Sequence, residues 1–169
     1  LTEDGRKQTV GLMLPSDFIG RPGRDQAVYD VTAVTDVTLC CFRRKQFEEL
    51  VKNTPHIAQR MLEMALDELD AARDWMFLLG RKTAREKIAS FLLLIARRTT
   101  TSELAAEGGL SIELPLTRDA MSDYLGLTLE TVSRQFSKLK SEGTIQLQGK
   151  RRVIIPDLEL LRAEAGDAG

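Results

Sequence analysis

The chain has 169 residues, 43% of them hydrophobic and 29% charged, a composition of globular proteins and not of disordered ones. No apolar run approaches the roughly 18 residues that span a membrane, and a net charge of −1 argues against indiscriminate nucleic-acid binding. The two cysteines, Cys40 and Cys41, are adjacent, which excludes a secreted disulfide framework and makes a reducing, cytoplasmic setting the expectation.

The chain opens at Leu1 without a methionine or a signal-peptide pattern, and so reads as a piece of something longer. "KQTVGLML" and "VYDVTAVTDVTLCCF" are rich in β-branched residues and predict strands, while "PSDFIGRPGRD" between them has the Pro, Gly and Asp density of turns. On such a strand Cys40 and Cys41 would point to opposite faces as small buried hydrophobes. "RKQFEELVKNTP" predicts a short helix that stops near Pro55.

From His56 the pattern becomes a long helix closed by Gly80. Leu62, Ala65, Leu69, Ala72, Met76 and Leu79 recur in alternating steps of three and four, the seam of a coiled coil, and predict a dimer interface. Thr83 and Glu86 form a T-x-x-E capping box that starts the next helix, running to about Arg98. A loop over 99–109, a short strand in "LSIELPL", and a helix capped by Thr117 and broken at Gly126 follow. Thr128 caps a further helix ending at Gly143; "TIQLQGKRRVIIP" reads as a hairpin with Gly149 near its tip, and "DLELLRAEAG" as a short helical tail.

The two helices around Gly126 have helix-turn-helix form. On the second, Leu129, Val132, Phe136 and Leu139 make an anchoring stripe, and Glu130, Ser133, Arg134 and Ser137 share the opposite side. Arg134 carries a planar fork of donors that matches the O6 and N7 acceptors of guanine. Glu130 can accept from the N4 amino group of cytosine, whereas a purely phosphate-binding face would repel it. Ser133 is small enough to let the helix approach a base edge. From Thr128 to Arg152 six cations face two anions, so positive charge gathers here despite the chain's overall balance. Lys138, Lys150, Arg151 and Arg152 are placed to engage DNA phosphates, and Thr117, Thr128 and Ser137 are assigned to the DNA backbone with them. The only histidine, His56, has no evident nucleophile partner, and no P-loop, G-x-G-x-x-G or metal-ligand spacing occurs, so an enzyme is not expected. The competing reading is a helix-mediated protein-interaction module.

"LPLTRDAMSDYLGLTLETVSRQFSKLKSEGTIQLQGKRRVIIPD" resembles the DNA-binding domain of the CRP/FNR family of bacterial transcription regulators. The E-x-x-S-R triplet, Glu130, Ser133 and Arg134, is similar to the motif of its FNR and FixK branch, and the resemblance reaches back to "LPSDFIGRP". It implies an α+β fold: part of a β-roll sensor domain over 1–53, a dimerisation helix over 54–80, a winged helix-turn-helix domain over 81–157 and a tail over 158–169. It also implies a cytoplasmic activator that binds double-stranded DNA as a homodimer on a palindrome with TTGAT-type half-sites. Glu130 and Ser133 would then help select the half-site, and Arg134 would contact its guanine.

RNA polymerase is a further partner implied by the family, with the loop 99–109 as its candidate surface; no membrane partner is implied. The sensor half implies a response to oxygen or redox state through a 4Fe-4S cluster in the full-length protein, with Cys40 in the position of the internal ligand. Two cysteines cannot supply four thiolates, so no cofactor is expected in this chain alone, and a FixK-like regulator without a cofactor fits as well. Arg21 follows Gly20 where cyclic-nucleotide binders carry an acid, which counts against cAMP. Ala72 occupies a seam position that related oxygen sensors can fill with an acid; without that charge the helix is expected to dimerise readily.

Overall fold

The computed structural model describes residues 8–24, 26–27, 29–98, 103–104 and 109–166. They fall into two compact units, Phe18–Phe77 and the combination of Leu1–Asp17 with Leu78–Gly169.

In the first unit, helix α1 (Arg44–Asn53) ends where Pro55 bars the α conformation from Thr54, whose φ and ψ are −131° and 89°. Pro55 then opens helix α2 (Pro55–Arg81), its fixed φ suited to a first helical position. The segment before α1 is tied to it by Phe18 stacked on Phe47 at 5.2 Å, and by Glu48, which accepts from the Gly23 N–H at 3.0 Å and pairs with Arg44 at 3.1 Å.

The strands predicted in "KQTVGLML" and "VYDVTAVTDVTLCCF" do not form among the described residues, which leave out Lys7 and Val28. The backbone there is irregular. β propensity describes a residue that fits a pleated surface, and a strand exists only with a hydrogen-bonded neighbour. No such neighbour is present for these stretches among the described residues. Cys40 and Cys41 are accordingly both exposed and not buried on strand faces.

The second unit holds helices α3 (Ala84–Arg98), α4 (Arg118–Leu125), α5 (Leu129–Ser141) and α6 (Leu158–Glu164). They accompany strands β1 (Glu103–Leu104), β2 (Leu110–Glu113), β3 (Gln146–Gln148) and β4 (Arg152–Ile155), joined in the antiparallel order β1-β2-β4-β3. Four helices and this small sheet give the expected α+β architecture with a winged helix-turn-helix. The loop expected over 99–109 contains β1, and 99–102 and 105–108 lie outside the described residues.

The Thr83/Glu86 box is reciprocal. The Thr83 N–H donates to Glu86 Oε2 at 2.6 Å and the Glu86 N–H to Thr83 Oγ1 at 3.4 Å, which holds the Glu86 carboxyl below the usual range. Behind the box, Ile88, Phe91, Leu92 and Ile95 are fully buried and form the centre of the core. Leu139 of α5, Ile145, Val153 and Ile155 of β4, and Leu161 of α6 are buried to the same degree. Each such side chain contributes about 1.5–3 kcal/mol relative to exposure. The segment read as a tail is therefore a packed helix, with Asp157 capping it by accepting from the Glu159 and Leu160 N–H groups at 2.8 and 3.2 Å.

Candidate nucleic-acid interface

Both ends of α4 are fully specified. Thr117 Oγ1 accepts from the Ala120 N–H at 3.2 Å, starting the helix. Gly126 adopts φ 62° and ψ 42°, the left-handed conformation that ends it, and directs its N–H to the Ser122 carbonyl. The remaining C-terminal carbonyls accept side-chain donors. Gln8 Nε2 reaches Asp123 at 2.8 Å and Tyr124 at 3.3 Å, and the buried Lys87 ammonium reaches Leu125 at 3.3 Å. Thr128 Oγ1 then accepts from the Thr131 N–H at 3.1 Å and restarts the chain as α5.

Val132, Phe136 and Leu139 bury one stripe of α5 as expected. Leu129 departs from that expectation and is 47% exposed, because the first helical residue stands beyond the edge of the core. On the opposite side Glu130, Ser133, Arg134, Ser137 and Lys138 are all exposed. Arg134, Ser133 and Glu130 make no side-chain hydrogen bond or ion pair among the described residues, so their polar ends are available to a ligand. The Ser137 hydroxyl is committed to its own helix, donating to the Ser133 carbonyl at 3.0 Å. Thr117 and Thr128 likewise spend their hydroxyls on caps.

The wing follows. Gly149 turns the β3–β4 hairpin at φ 65°, which displays Lys150 and Arg152 to solvent and leaves Arg151 half-buried. The Arg151 carbonyl accepts from the Leu114 N–H at 2.8 Å, which fastens the wing to the strand before α4. Of the two acids in the basic stretch, Glu142 is paired with Arg85, whose guanidinium also chelates Glu164. That leaves Glu130 as the unpaired acid of α5 among the described residues.

Two contributions have no local sequence signal. The Arg118 guanidinium lies 3.1 Å over the centre of the Phe136 ring and joins α4 to α5; its burial pushes its pKa down to about 10, still fully charged at neutral pH. Arg85 pairs with two carboxylates that lie 57 and 79 residues further along the chain. Glu164 and then Glu142 hold its pKa up, and Arg85 in turn holds Glu164 below the usual carboxylate range.

On α2, Leu62, Ala65, Leu69, Ala72 and Met76 are exposed, and Leu79 is half-buried. Cys40 and Cys41 offer two thiols side by side, and no group of three or more His, Cys, Asp or Glu residues suited to a metal ion occurs among the described residues. That donor set does not fit a four-thiolate cluster. No described helix is long and apolar enough to cross a membrane.

A Crp-like helix-turn-helix domain model matches residues 86–164, and a cyclic nucleotide-binding domain model matches 1–54. The chain is 65% identical over 166 residues to the transcriptional activator protein FnrL of Cereibacter sphaeroides, a match covering 98% of this chain and 67% of that protein. It is 41% identical over 147 residues to the nitrogen fixation regulation protein FixK of Bradyrhizobium diazoefficiens, covering 87% of this chain and 61% of that protein. Among solved structures, FixK2 from Bradyrhizobium japonicum superposes with a TM-score of 0.62 at 39% identity, over 71% of this chain and 57% of that one. The chain thus spans about two thirds of the length of these curated relatives.

Proposed function

This chain belongs to the CRP/FNR family of bacterial transcription regulators, on its FNR- and FixK-like side, and from that premise we propose that it binds a TTGAT-type palindrome as a homodimer. Of its matched relatives, FnrL is a transcriptional activator and FixK a nitrogen fixation regulation protein. One observation carries the reading. A helix capped at its start and anchored by Val132, Phe136 and Leu139 presents Glu130, Ser133 and Arg134 to solvent, unpaired among the described residues, while the other acid of the region is held by Arg85. Arg134 would form the bidentate pair with guanine, and Glu130 with Ser133 would select the neighbouring bases. Lys138, Lys150, Arg151 and Arg152 would set register through phosphates.

The test is fluorescence anisotropy on the palindrome and on duplexes changed at each half-site base, across a salt series. Arg134→Ala is expected to lose ~1–3 kcal/mol on the cognate duplex and most of the preference at the guanine. Lys150→Ala should weaken every duplex about equally and reduce the salt slope by about one. If the two variants behave alike across the set, the assignment of roles is wrong. Binding that does not depend on salt would favour a protein-interaction module instead.

The exposed seam on α2, with Ala72 in place of an acid, supports dimerisation without a cofactor. Sedimentation at micromolar concentration tests it, and a monomer alone would overturn it. A cluster-based oxygen response would require thiolates beyond Cys40 and Cys41. Iron and sulfide content of the anaerobically purified full-length protein separates that reading from a FixK-like regulator without a cofactor.

A further inference from the structure

Arg85 stands where three elements meet. It is the second residue of α3, and its Nε and Nη2 grip the two oxygens of Glu164, the last residue of α6, the Nη2–Oε1 contact being 2.6 Å. The same Nη2 holds the carboxylate of Glu142, the residue that caps the C-terminal end of α5. The guanidinium is 21% exposed and Glu142 41%. A lone contact that open would be worth little. Here the chelate to Glu164 fixes the plane of the fork before Glu142 meets it, which makes the contact directional.

The position of that contact matters because α5 is a lever. Glu130 and Glu142 are about 18 Å apart along the axis at ~1.5 Å per residue. The buried stripe of Val132, Phe136 and Leu139 holds the helix against the core, yet side chains on a single stripe resist sliding better than tilting. A tilt of about 6° around the middle of such a helix moves each end by roughly 1 Å, enough to spoil a bidentate contact at the reading end.

We propose that Arg85 is a positioning residue for base recognition: through Glu142 it fixes the tilt of α5 and thereby the placement of Glu130, Ser133 and Arg134. This rests on the reading of α5 as the base-contacting helix. Selectivity between sequences depends on Arg85, and general affinity for DNA does not.

The measured quantity is the ratio of affinities for the TTGAT palindrome and a scrambled duplex of the same length. It is compared for the unaltered chain, Arg85→Met, Arg85→Lys, Glu142→Gln and the Arg85→Met/Glu142→Gln pair. Arg85→Met should lower the ratio about 5- to 20-fold with the scrambled-duplex affinity and salt slope retained. Arg85→Lys should recover part of the loss, and the double variant should be no worse than Arg85→Met alone, because both act through one contact. Arg85→Lys and Glu142→Gln keep the comparison open if Arg85→Met fails to fold. An unchanged ratio, or losses that multiply in the double variant, overturns the proposal. So does an equal loss on both duplexes with the salt slope lowered by about one, which would make Arg85 a phosphate ligand. A ratio near one for the unaltered chain would defeat the proposed function itself and is distinct from all of these.

Discussion

The stack of Arg118 on Phe136 allows a quantitative test of how the two helices of the reading unit are joined. Phe136 is 2% exposed, and the guanidinium carbon lies 3.1 Å from its ring centre; among the described residues the Met121 sulfur is its one further side-chain partner, at 3.7 Å. A half-buried cation with no carboxylate partner among the described residues relies on the ring face, which places the pair at the desolvated end of the range for such contacts, about 2 kcal/mol. Phe136→Leu keeps most of the apolar volume, so the packing loss should be near 1 kcal/mol. The expected total is about 3 kcal/mol. For a domain of this size that corresponds to a fall in Tm of roughly 12–24 °C. Arg118→Met removes the same contact but also relieves the burial of a charge, so it should cost less than Phe136→Leu. In urea titrations followed by far-ultraviolet circular dichroism, the double variant should show a coupling of about 1–2 kcal/mol between the positions. Additive effects, with coupling below about 0.3 kcal/mol, would refute the stack as a source of stability.

Two further outcomes follow from the backbone and from charge. An alanine Cβ at Gly109 would lie 2.5 Å from the Ile155 carbonyl oxygen at a φ of 90°, whereas at Gly126 it would meet only Leu79 Cδ2 at 3.7 Å. Gly109→Ala should therefore cost about 3–5 kcal/mol and Gly126→Ala only the left-handed penalty of about 1–2 kcal/mol; equal costs in denaturant titration would contradict the geometry. Glu164 is held below its unfolded pKa by Arg85, so its stabilisation is complete above the usual glutamate pKa of about 4.3 and is lost as pH falls through the lower folded value. The stability gap between the unaltered chain and Glu164→Gln should shrink as the pH falls below the usual glutamate range, and a gap constant with pH would remove the pair from the account.

What could be read in the sequence was what local chemistry decides. Thr83 with Glu86, Thr117, Thr128 and Gly126 each settle a helix end within four residues, and all five do so in the structure. The anchoring stripe followed from helical spacing, except that periodicity cannot tell where a core ends, and Leu129 lies past its edge. The strands before residue 44 were read from propensity alone. A strand needs an edge to pair with, and nothing in Val31, Val34 or Val37 says whether one is present. Nothing in the local sequence marks Arg85 or Arg118, because their partners come from other turns of the chain. A basic residue just inside a helix start, followed by acids at two later helix ends, was the only hint of the three-way contact.

The ladder between β2 and β4 has a consequence for how the reading unit lives and fails. Its innermost pair, Glu113 with Arg152, encloses residues 114–151, and so all of α4, α5 and β3. Closing a loop of roughly 40 residues costs about 3 kcal/mol before any contact inside it forms. Once the ladder is closed, the helices inside fold against a fixed frame; if it opens, they lose that frame together. Amide hydrogens in the middle of α5 should then exchange with the same opening free energy as those of β2 and β4. A regulator built this way would offer the duplex either a whole reading surface or none, with few half-formed states to bind the wrong sequence.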